Sequence, residues 1–93
     1  VFRLRECVVF RIPNDREHFR LGITLKARGR SVDRNRVKRR IREAFRALAD
    51  RLGAHDYNVV VPASKKMIFP YPEKLAECLE TEFKNALARK SDH

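Results

Sequence analysis

The chain has 93 residues, enough for one domain with a modest core and too few for two. Its 22 Lys and Arg outnumber 12 Asp and Glu, a net charge of +10 with a pI near 10.5. That balance points to an anionic partner: nucleic acid first, an anionic membrane surface second, an acidic protein third. No apolar run approaches the roughly 20 residues of a membrane span and nothing reads as a signal peptide, so no membrane role is expected.

Residues 4–12, LRECVVFRI, form the first expected strand, with Leu4, Val8, Phe10 and Ile12 on one side and Cys7 and Val9 on the other. PNDREH, residues 13–18, has the turn residues of a hairpin loop. The second strand, 19–26, alternates Phe19, Leu21, Ile23 and Leu25 with Arg20, Gly22, Thr24 and Lys26, so the first two strands are expected to pair antiparallel. After ARGRS the period changes. Val37, Ile41, Ala44, Phe45, Leu48 and Leu52 recur at three- and four-residue steps, which predicts an amphipathic helix over about 33–52, capped by Ser31 or Asp33 and ended at Gly53. The β-branched run at 56–61 reads as a buried strand, and 62–72, with Pro70 and Pro72, as an extended loop. Leu75, Leu79, Phe83, Ala86 and Leu87 define a last helix over about 73–89.

The order β-β-α-β-α gives an α+β fold, helices packed on a small sheet, as a single domain over 1–93. Cys7 and Cys78 have no metal-type spacing and sit in apolar patterns, so both read as core residues of a protein in the reducing cytoplasm.

The charge is concentrated. Residues 26–42 hold Lys26, Arg28, Arg30, Arg34, Arg36, Lys38, Arg39, Arg40 and Arg42 against Asp33 alone, nine minus one or +8. At 100° per residue, Asn35, Arg39, Arg42 and Arg46 fall in one row facing away from the apolar side. Arg36 and Arg40 flank the row on one edge and Lys38 on the other. A solvated helix face normally mixes signs and carries Glu–Lys pairs four residues apart. Here cations crowd the first turns, against the macrodipole, whereas the last helix opens with Glu73 and Glu77 and closes with Arg89 and Lys90. The central helix therefore reads as a phosphate-binding face, with guanidinium groups suited to bidentate contacts. Asn35 can donate and accept there, or serve as a local cap.

RGRSVDRNRVKRRIREAFR, residues 28–46, resembles the signature of the bacterial ribonuclease P protein subunit: Arg34-Asn35-Arg36, then Val37, Lys38-Arg39, and Arg42-Glu43-Ala44-Phe45-Arg46. The resemblance runs from about residue 4 to 88 and takes in RLGITL (20–25), DYNVVV (56–61) and PAS (62–64). It implies an α-β-β-α-β-α sandwich with a left-handed β-α-β crossover, an exception to the usual hand. The family's first helix would precede residue 1, so one wall of its leader cleft would be missing and the chain would be open to self-association. The resemblance also implies partnership with the catalytic ribonuclease P RNA and with the 5′ leader of precursor tRNA, which the holoenzyme removes. The RNA does the chemistry with Mg²⁺, and no protein residue holds the metal. The implied RNA-binding set is Arg34, Asn35, Arg36, Lys38, Arg39, Arg42 and Arg46, with Lys26, Arg28 and Arg30 ahead of the helix. Phe10 falls at the leader-facing aromatic position, although its alternation also suits core packing.

The residues do not favour a protein catalyst. Glu6, Asp15, Glu17, Asp33 and Asp56 have no metal-ligand spacing, and His18, His55 and His93 lack zinc-type neighbours. No Gly-rich phosphate loop, nucleophile elbow or acid–base pair is present. The alternative is a ribosomal or other structured-RNA-binding protein with no processing role. A major-groove DNA binder is disfavoured because the helix commits its other face to a sheet core. A membrane-surface helix would need Val37, Ile41 and Phe45 exposed.

Overall fold

The most apolar strand takes the centre of the sheet. In the computed structural model, which describes residues 1–91, β4 (His55–Val61) buries Tyr57, Val59 and Val61 and is flanked on both sides. β2 (Val8–Pro13) pairs with it antiparallel, Phe10 opposite Asn58, and β3 (Arg20–Leu25) pairs with it parallel, Gly22 opposite Asn58. A short β1 (Phe2–Arg3) adds to the outer edge of β2, giving the order β1-β2-β4-β3.

The expected β2–β3 hairpin is therefore absent, because β4 lies between the two strands. The turn-rich 13–18 segment is a bridge past the start of β4. Asn14 N–H donates to Ala54 O at 3.0 Å, and its side-chain amide donates to Asp56 Oδ1 at 2.8 Å. The first strand is also not continuous over 4–12. Leu4 N–H donates to Cys7 O at 2.9 Å, closing a turn that folds β1 back on β2.

α1 (Ser31–Ala47) connects β3 to its parallel neighbour β4, as parallel pairing requires. It buries Val37, Ile41, Ala44 and Phe45 as its period dictates. The helix does not run unbroken to 52: Leu48 leaves helical geometry, and a separate turn α2 (Ala49–Leu52) follows. Neither Ser31 nor Asp33 caps α1. The cap position belongs to Arg30, which makes no side-chain cap bond, and Asp33 instead accepts from Arg30 Nε at 3.2 Å.

Gly53 ends α2 at φ 65° and ψ −164°, a region essentially closed to other residues. Gly53→Ala should cost about 1–3 kcal/mol, read as a lower urea midpoint with an unchanged slope. An unaltered midpoint would mean that the turn relaxes freely.

The last helix begins earlier than expected. α3 (Tyr71–Cys78) takes in Pro72, whose missing N–H costs nothing in a first turn. The loop before it is not extended as expected: Lys65 N–H donates to Pro62 O at 3.2 Å, Tyr71 N–H donates to Ile68 O at 2.9 Å, and Pro70 sits at φ −98° and ψ 15°. α4 (Lys84–Ser91) follows a π-helical turn at Leu79–Phe83. Leu75, Leu79 and Phe83 are spaced by fours, which in a regular α-helix drifts about 40° per step. All three are buried, as are Val37, Ile41 and Phe45 at the same spacing in the regular α1.

Both helical layers cover one sheet face. Phe45 is fully buried there, its ring centroid 5.3 Å from Phe83, 5.5 Å from Tyr57 and 6.3 Å from Phe19. Cys7 and Cys78 are free thiols in this core, as their apolar patterns suggested, and burial pushes the Cys7 thiol up to about 12. The opposite face carries no helix among the described residues, and Phe10 and Ile12 on it are 44% and 62% exposed. His93 lies outside the described residues.

Candidate nucleic-acid interface

Burying the apolar stripe of α1 turns its cations outward. Asn35, Arg36, Arg39, Arg42 and Arg46 are all exposed, and Lys38 is half-buried. Arg36, Lys38, Arg39, Arg42 and Arg46 make no ion pair among the described residues. Asn35 caps nothing, which leaves its amide free to donate and accept.

The other cations of this stretch have structural bonds. Arg34 Nη1 donates to Ala27 O at 2.9 Å and clasps the 26–30 loop to the first turn of α1. Arg30 pairs with Asp33 at 3.2 Å, and Arg40 with Glu73 at 3.2 Å, tying α1 to α3. The exposed Arg28 projects from the clasped loop. The Arg30 side chain is largely exposed, whereas the Arg40–Glu73 bond is part-buried and Glu73 Oε2 has no other partner among the described residues, so Arg40 is committed to Glu73.

Lys26 belongs elsewhere. Its backbone N–H donates to Val61 O at 3.0 Å, extending the parallel ladder, and its side chain lines a hollow on the open sheet face with Arg3, Val8, Phe10, Val60 and Pro62. The structure thus joins Lys26 to Phe10 and separates it from the α1 row. Phe10 is a surface aromatic of the open face, and the core-packing reading of it does not hold. Arg3 is a cation of this hollow that sequence alone did not single out; its place opposite Val8 in the β1–β2 turn is the reason, and that turn was unforeseen.

Asp56 closes the far end of the same face. Arg20 donates to both its oxygens, at 2.9 and 2.7 Å, and Asn14 adds a third bond. These bonds hold its carboxyl well below the usual range. A carboxylate so engaged is an architectural anion, not a poised acid or base. Among the described residues no group of three or more His, Cys, Asp or Glu could hold a metal ion. Among the described residues no helix is long and apolar enough to cross a membrane.

Sequence reasoning also missed Ile68 and Phe69, which stand exposed in the loop before α3. The signal was an apolar pair inside a lysine- and proline-bearing loop, where no core period calls for one.

The family description Ribonuclease P matches residues 1–89. A ribonuclease P protein component from an Exiguobacterium species is 36% identical over 83 residues, covering 88% of this chain and 71% of that protein. One from Streptococcus pyogenes is 33% identical over 91 residues, covering 87% and 76%. The solved Staphylococcus aureus RNase P protein superposes with a TM-score of 0.74 at 33% identity, covering 91% of this chain and 78% of that one. The Thermotoga maritima RNase P protein gives 0.62 at 26% identity, covering 85% and 79%. With its small mixed sheet, its helices on one face and its arginine-faced α1, this chain belongs to the bacterial ribonuclease P protein family, a subunit of an RNA-containing holoenzyme that processes tRNA.

Proposed function

We propose that the outward row of α1 binds the catalytic RNA of ribonuclease P and that the open sheet face receives the 5′ leader of precursor tRNA. The observation that carries this is the separation of two surfaces. One is a helix face of unpaired guanidinium groups, suited to folded-RNA phosphates. The other is a hollow with an aromatic floor and cationic rim, Phe10 with Arg3 and Lys26, suited to an unpaired strand. The chain supplies binding and orientation. Hydrolysis of the phosphodiester belongs to the RNA and its Mg²⁺, the chain alone is inactive, and the complex works in the cytoplasm, where Cys7 and Cys78 stay reduced.

The test is cleavage of precursor tRNA by the catalytic RNA of the same organism at limiting Mg²⁺, with and without the chain. Addition should restore cleavage that the RNA alone performs only at higher Mg²⁺. Equal rates with and without the chain would overturn the proposal.

A further inference from the structure

Phe69 is the most exposed large apolar side chain among the described residues, at 71%, and its neighbour Ile68 is 55% exposed. Both sit in the loop between β4 and α3, and that loop is pinned on either side of them. Before them, Met67 is 2% exposed and lies against the loop ahead of α1: a methyl group on Gly29 would stand 3.7 Å from Met67 Cβ. After them, Tyr71 is buried with its hydroxyl donating to Glu6 O at 2.8 Å, and Glu73 pairs with Arg40. The tip itself is closed by Tyr71 N–H to Ile68 O at 2.9 Å.

The core positions on either side are thus filled by Met67 and Tyr71, and the Ile68-Phe69 tip is held out in solvent. The anchors also fix where it stands. From Gly29 to Arg40 the segment runs along the α3-side flank of α1, the flank that carries Arg36 and Arg40 and, one turn earlier, the exposed Val32. A fixed aromatic on the same flank as Arg36, which is unpaired among the described residues, is a combination that grips unpaired nucleotides: the cation takes the phosphate and the ring takes the base.

We propose that Phe69 stacks on an unpaired base of the RNA held by α1, extending that interface onto the β4–α3 loop. The occupant is RNA because the flanking surface is cationic; a protein partner for this tip would have to match Arg36 and Arg28 with carboxylates. The inference rests on the reading of α1 as an RNA-binding face, and its test separates the two.

The chain has no tryptophan, so Phe69→Trp introduces a single tryptophan at the tip, which can be excited apart from Tyr57 and Tyr71. Phe69→Ala, Phe69→Leu and Phe69→Trp would be titrated with the catalytic RNA and with a ten-nucleotide oligoadenylate, beside the unsubstituted chain. Losing one stacked base should weaken binding about tenfold in the Ala and Leu variants. The salt dependence should not change, because no charge is removed. The Trp variant should keep its affinity, and RNA should quench its emission. Melting temperatures should match throughout, since the side chain is exposed. Full affinity in the Ala variant with unquenched Trp emission would overturn the proposal and leave α1 as the RNA face. Loss of a sedimenting dimer in the Ala variant, with RNA affinity intact, would overturn it in favour of a protein contact. Failure of the unsubstituted chain to bind either RNA would remove both readings.

Discussion

Phe45→Ala is expected to destabilise the domain by about 3–5 kcal/mol. The residue is fully buried, and its ring meets Phe19, Tyr57 and Phe83, which belong to the segment leading into β3, the central strand and the π-helical turn. Truncation removes the transfer free energy of the ring and leaves a cavity that three separate elements would have to close together. A domain of this size has roughly 5–15 kcal/mol in total, so the variant should be partly unfolded at 37 °C. It should also bind RNA poorly, because Arg42 and Arg46 are presented by the same helical turn. Urea unfolding followed by circular dichroism checks this, and a loss under about 1 kcal/mol would show that the three-ring junction does not hold the layers together.

The combined Arg39→Ala and Arg42→Ala substitution should do the opposite, sparing the fold and damaging binding. Both side chains are exposed and unpaired among the described residues, so no native contact is lost. Relief of like-charge repulsion along α1 should hold the melting temperature or raise it. Each phosphate contact removed lowers the slope of log affinity against log salt by roughly 0.7 to 0.9, so the pair should flatten it by about 1.4 to 1.8. A charge-assisted hydrogen bond is worth about 1.5–3 kcal/mol, or roughly tenfold or more in affinity per arginine at moderate salt. A lower melting temperature with an unchanged salt slope would mean that these arginines serve the fold.

The helical parts of this architecture were legible because their signals are local. The apolar stripe of α1 fixes which side is buried, and its arginine row follows by geometry. All the expected core residues of α1 and the last helix are buried. Strand order was not legible. PNDREH looks like a hairpin turn, and nothing local reveals that β4, some forty residues later, will insert between β2 and β3. That choice rests on long-range pairing: Tyr57, Val59 and Val61 gain most from a central place, where neighbours on both sides satisfy the backbone. The face occupied by Phe10 was open for the same reason. Alternation showed that Phe10 and Val9 point opposite ways, but only the helix positions decide which of them is covered. The π-helical turn was not legible, because the four-residue spacing of Leu75, Leu79 and Phe83 is also that of Val37, Ile41 and Phe45, which stay buried in the regular α1.

The claim that the exposed face of α1 binds RNA is tested most directly by arginine footprinting. Phenylglyoxal modification of the chain, alone and with the catalytic RNA, would be read residue by residue by mass spectrometry. Arg51 and Arg89 are exposed, lie off the row and serve as internal controls. Bound RNA should protect Arg36, Arg39, Arg42 and Arg46 while Arg51 and Arg89 stay reactive. Protection of Arg51 and Arg89 with the α1 row still fully reactive would place the RNA elsewhere and contradict the account.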